Sequence, residues 1–98
     1  MPYEVRFSRD AGRHLGGLDA RDRGIILDAI EDQLTHQPGV PTRHRKVLRE
    51  NPLADWELRV GEYRVFYDID DDSGLVMILA IGVMSHNTLR IEGEEIQL

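Results

Sequence analysis

Apolar and polar side chains alternate through the opening PYEVRFS. Tyr3, Val5 and Phe7 point one way and Glu4 and Arg6 the other, which predicts a half-buried strand. Ser8 is placed to cap a helix, and beyond it the period changes. Ala11, Leu15 and Leu18 share one side of a short helix over residues 9–18, weakened by Gly12, Gly16 and Gly17. Asp19, with Asp22 three residues on, caps a second and stronger helix, along which Ile26, Ala29, Ile30, Gln33 and Leu34 keep helical spacing. QPGVP (residues 37–41) stops it, so two antiparallel helices joined by a tight link are expected.

Downstream the period is that of strands. RHRKVLRENP (residues 43–52) reads as a loop with a strand near Val47 and Leu48. Trp56 to Val60 and Glu62 to Asp70 are two strands, broken at Gly61 by a turn or bulge. DDDSG (residues 70–74) is a hairpin turn, and LVMILAI (residues 75–81), apolar without alternation, is a central strand covered on both faces. TLRIEGEEIQL reads as a last small hairpin turning at Glu92 and Gly93. The order is βαα followed by three or more strands. That is an α+β fold, with the helical hairpin packed on one face of a small, mostly antiparallel sheet and residues 1–98 forming one domain.

Composition narrows this picture only a little. A chain of 98 residues, 41% hydrophobic and 31% charged, has enough apolar material for one core. It has no cysteine, which excludes a disulfide framework and thiolate metal sites. Nothing near the N-terminus reads as a signal peptide, and the run from Leu75 to Ile81 is too short to span a bilayer; a soluble cytoplasmic protein without a membrane partner is expected. The net charge of −6 argues mildly against a general nucleic-acid binder. Yet residues 1–64 carry as many basic as acidic residues, and the whole excess falls in residues 65–98. Arg43, Arg45, Lys46 and Arg49 cluster with no acid among them, so an anion site near the middle of the chain stays open.

The strands sharpen that possibility. Alternation puts Arg64, Phe66 and Asp68 on one face of their strand, and Glu57 and Arg59 share a face of the strand before it. Helices covering one side of the sheet would leave the other to display Arg59 and Arg64, a basic surface able to hold phosphate. Arg64 either grips phosphate or pairs with Glu62 or Asp68; Arg59 is a second phosphate contact or a solvated partner of Glu57. His86 either moves a proton near neutral pH or is an ordinary surface histidine. Lys46, with Arg43, Arg45 and Arg49, binds RNA or an acidic protein segment, or forms a solvated loop. His14, His36 and His44 show no metal spacing and read as surface; the acidic turn at Asp70, Asp71 and Asp72 reads as a soluble hairpin tip, and no metal or other cofactor is expected. Trp56 and Tyr67 read as core in preference to base-stacking platforms.

The run W-x-L-R-V-G-x-Y-R-V-x-Y-x-I from Trp56 to Ile69, the acidic turn and V-x-I-L-A-I-G ending at Gly82 together resemble the RelE/ParE superfamily of bacterial toxins, over roughly residues 3–82. The resemblance implies the toxin of a type II toxin–antitoxin module, neutralised by a cognate antitoxin. It divides into two activities. RelE-like members are ribosome-dependent, metal-free mRNA endoribonucleases, whereas ParE-like members inhibit DNA gyrase without the nuclease residues. Arg59 and Arg64 match the nuclease pattern. Glu57 stands where a first basic residue is expected, Met84 about where an arginine is, and Arg90 about where a tyrosine is. The resemblance therefore implies a nuclease using Arg64 and Arg59, with His86 or Arg90 standing in for the missing groups and ribosome and mRNA as partners. Its alternative is a gyrase inhibitor, or a toxin fold that has lost toxicity.

Overall fold

The computed structural model describes residues 2–98. Strand β1 (Glu4–Phe7) leads into helices α1 (Arg9–Gly16) and α2 (Ala20–Leu34). Strands β2 (Arg45–Val47), β3 (Trp56–Val60), β4 (Tyr63–Asp70), β5 (Leu75–Ser85), β6 (Thr88–Ile91) and β7 (Glu94–Ile96) come after them. Both helices start where their caps predict. Ser8 accepts from the Ala11 N–H and Asp19 from the Asp22 N–H, each satisfying a donor the first turn leaves free.

Among the described residues the strands form one sheet, ordered β2-β3-β4-β5-β6-β7, with β1 added parallel to β5 and every other pair antiparallel. Strand β5 is the hub. Along one edge it pairs with β4; along the other it pairs with β1 at residues 75–78 and then with β6 at residues 83–85. The stretch between those two partners is covered by side chains. The Ser8 hydroxyl donates to the Leu79 carbonyl, and His14 Nδ1 accepts from the Ile81 N–H. His14 is thus a structural histidine with its side chain only 7% exposed, which corrects its reading as surface. Backbone groups inside a fold must find partners, and here a helix supplies one where the neighbouring strands run out.

The helices bury Ala11, Ile26, Ile30 and Leu34 against Leu58, Val65, Tyr67, Val76, Ile78 and Ile81 of the sheet. The step from Ile78 to Ile81 breaks the two-residue period. The register shifts opposite Phe66 and Tyr67, Leu79 is the extra residue, and the face on which each later β5 side chain lies changes parity. The other face, expected to lie open, carries its own apolar cluster instead. Phe66 and Ala80 are buried there beneath Ala54, Leu89 and Ile91, so the 48–55 segment and the last hairpin cover much of it. Gly82 makes this possible, because a Cβ there would lie 2.9 Å from the Arg90 carbonyl oxygen, Ile91 Cγ1 and Leu89 Cδ1. Among the described residues no helix is long and apolar enough to cross a membrane.

Candidate functional site

Arg59 and Arg64 are opposite each other in the β3–β4 ladder, with Gly82 next to Arg64 on β5. The Arg59 N–H donates outward to the His44 carbonyl, so Arg59 and Arg64 form a non-hydrogen-bonded pair, the kind whose side chains stand closest. Both lie on the face away from the helices, because Leu58 and Val65, their neighbours in register, belong to the helix-covered core. Arg64 Nη1 donates to the carbonyls of Gly61 and Tyr63 at 2.9 and 2.8 Å, which steadies the guanidinium beside the β3–β4 turn. Burial, then the charge of Arg59, hold its pKa below the usual guanidinium value; Glu57 and Glu62 act in the opposite sense. Among the described residues neither arginine forms an ion pair with Glu57, Glu62 or Asp68.

Two close cations without a carboxylate partner leave an unsatisfied positive field. It extends toward β2, where Arg43, His44, Lys46, Glu57 and Arg59 line a hollow of about 280 Å³. Arg43 and Lys46 are exposed, and Lys46 stands opposite Glu57 in the β2–β3 register. Arg49 is also exposed but lies beyond the end of β2 and outside the hollow's lining. The arrangement suits an anion with several oxygens, such as a phosphodiester crossing from Arg64 and Arg59 toward Lys46.

Two of the expected binding residues are not free to join that site. Arg45 is 8% exposed, and its guanidinium is already engaged: Nε donates to the Val40 carbonyl, and Nη1 donates to the Gln33 carbonyl and to Gln33 Oε1. It ties β2 to the end of α2, which corrects its reading as a free cation for RNA or antitoxin. Arg90 stands opposite Val83 and therefore on the helix side of the sheet, where it lines a cleft with Leu18 and Tyr63. It cannot stand in for a group beside Arg64, which is on the other face.

His86 is exposed at the tip of the β5–β6 turn, where it and Asn87 adopt φ values of 51° and 64°. The Met84 N–H donates to the Glu62 carbonyl, so this tip lies at the same end of the sheet as Arg59 and Arg64. Met84 packs against the second apolar cluster and brings no charge. Among the described residues no group of three or more histidine or carboxylate side chains is placed to hold a metal ion.

Sequence reasoning missed a second polar cluster. Glu92, at φ 53° in the β6–β7 turn, accepts from Arg13 Nε and Nη2 at 2.9 and 2.8 Å and lies 3.3 Å from His14 Nε2. Arg13 holds the Glu92 carboxyl below its usual pKa, with His14 assisting. The available signal was spacing: His14 lies three residues after Ala11 and four before Leu18, on the buried stripe of α1.

Among known proteins, the family described as "ParE toxin of type II toxin-antitoxin system, parDE" matches residues 5–87. Toxin RelG of Mycobacterium tuberculosis (strain ATCC 25618 / H37Rv) is 35% identical over 81 residues, which is 83% of this chain and 90% of that protein. A crystal structure of the toxin–antitoxin complex RelBE2 from Mycobacterium tuberculosis contains a chain that superposes with a TM-score of 0.70 at 33% identity. The match covers 83% of this chain and 96% of the other.

Proposed function

Because this chain belongs to the ParE toxin family of type II toxin–antitoxin systems, we propose that it acts in the cytoplasm as a translation-blocking toxin. In this reading it cleaves mRNA on the ribosome and is neutralised by a cognate antitoxin. The observation that carries the reading is the Arg59–Arg64 pair, opposed across β3 and β4 with no carboxylate partner among the described residues. Cleavage of RNA without a metal begins with attack of a ribose 2′-oxygen on phosphorus, as a base removes its proton. It ends with departure of the 5′-oxygen, which an acid protonates. The extra negative charge that develops at phosphorus needs cations held in place beforehand. Arg64, steadied by two carbonyls, supplies that charge; Arg59 and Lys46 hold the flanking phosphates, and His86, exposed at that end of the sheet, is placed to transfer a proton.

A second reading has its own support. The matching family is that of ParE toxins, and Met84 is apolar where the nuclease resemblance expects an arginine. A non-catalytic inhibitor of DNA gyrase would use the same basic surface for binding alone. Induction of the chain without antitoxin, beside an Arg64→Ala form, separates the two. Uptake of labelled amino acids and of labelled thymidine is followed, and cellular mRNA is mapped for new ends. Arrested translation with cleaved mRNA, abolished by Arg64→Ala, is the expected result. Arrested replication with intact mRNA would replace the nuclease by the gyrase reading.

A further inference from the structure

Between α1 and the sheet, on the face opposite the two arginines, lies a cleft of about 370 Å³. Its walls are largely apolar, made by Leu18, Tyr63, Ile81 and Val83, and its rim carries charge. Most of that charge is already satisfied within the protein. Arg13 holds Glu92 and Asp10, Glu92 also faces His14, His14 Nδ1 is taken by the Ile81 N–H, and the Tyr63 hydroxyl donates to Asp22 at 2.6 Å. Arg90 is the exception: it is exposed at the rim and, among the described residues, its side chain makes no hydrogen bond or ion pair. An apolar hollow with one uncommitted cation selects a ligand having an apolar body and one anionic group.

The source of the rim matters as well. Arg90 and Glu92 belong to the β6–β7 hairpin, which lies beyond the family match at residues 5–87. The hairpin is fixed in place by Glu92 on Arg13 and His14, and that attachment occupies Glu92 while leaving Arg90 free.

We propose that this cleft is a selectivity site for the cognate antitoxin, taking an apolar side chain of the antitoxin between Leu18 and Val83 while a neighbouring Asp or Glu pairs with Arg90. The inference rests on the reading of the chain as an antitoxin-neutralised toxin, and it assigns that partner a surface separate from the Arg59–Arg64 face. Such a mode combines an anchor in a pocket with a charge at its edge.

The test uses the full chain and its purified cognate antitoxin. Two variants probe the two halves of the contact. Arg90→Glu reverses the free charge. Gly17→Phe fills the cleft at a position where an added Cβ meets only ordinary contacts, 3.6 Å from the His14 carbonyl and 3.7 Å from that of Arg13. Each variant should weaken binding in titration calorimetry by about tenfold or more, a loss of about 1.4 kcal/mol, with thermal melting confirming that both remain folded. The Leu18 and Val83 methyl resonances of the unsubstituted chain should shift on binding. Dissociation constants within about twofold of the parent for both variants, with those methyls unmoved, would overturn the cleft while leaving the antitoxin reading intact. A loss with Gly17→Phe alone would overturn the acidic contact. No binding by the unsubstituted chain would overturn this inference together with the antitoxin reading it rests on.

Discussion

Replacing Arg59 by Gln should make the protein more stable and less toxic at once. Arg59 and Arg64 are directly opposed in a non-hydrogen-bonded pair, and Arg64 is partly withdrawn from water. Like charges opposed in this way cost about 0.2–1 kcal/mol. The closeness of the pair and the partial burial of Arg64 place this case in the upper half of that range, while the exposure of Arg59 keeps it from exceeding it. For a domain of this size each kcal/mol moves Tm by about 4–8 °C. Arg59→Gln should therefore raise Tm by about 2–8 °C in low salt. The gain should shrink toward zero near 1 M NaCl, where the screening length falls to about 3 Å. Arg59→Lys is the control, since it keeps the charge but loses the guanidinium fork. It should melt with the parent. Thermal unfolding by circular dichroism at both salt concentrations reads the stability, and growth after induction reads toxicity. An Arg59→Gln protein no more stable than Arg59→Lys in low salt would refute the claim that the pair is held against its own repulsion.

The polar groups that tie the fold together give two further expected outcomes. Arg45→Met removes three hydrogen bonds and leaves the Gln33 and Val40 carbonyls without this partner, so urea denaturation should show a loss of about 2–3 kcal/mol. Glu92 has a folded-state pKa below its unfolded value, so its contribution is fully present above the ordinary carboxylate pKa and is lost as pH falls through the depressed folded value. Glu92→Gln should accordingly flatten the acid limb of the urea midpoint against pH, and an unchanged limb would show that the attachment to Arg13 contributes nothing to stability.

The candidate site was legible in part, and the reasons differ residue by residue. Arg59 and Arg64 were placed on one face by alternation, and the register sets them opposite each other as neighbours across a hairpin should be. Arg45 looked like its neighbours Arg43 and Lys46 because charge alone does not reveal which of three adjacent cations turns inward. That choice belongs to the carbonyls of Gln33 and Val40, which no local pattern displays. Position along the chain does not reveal the face of Arg90, because the parity change at Leu79 and the pairing with Val83 decide it.

By itself the sequence determined what depends on near neighbours. The caps at Ser8 and Asp19, the buried stripe of α2, the breaks at Gly61 and at residues 70–74, and the final turn at Glu92 and Gly93 all come from local preference and side-chain period. Tertiary structure alone decided where β5 is bulged, which face each tail residue occupies, and that His14 completes the backbone hydrogen bonding of Ile81. Those features arise where distant segments must satisfy one another's polar groups and fill one another's volume. That requirement acts through space and leaves little trace in the spacing of residues along the chain.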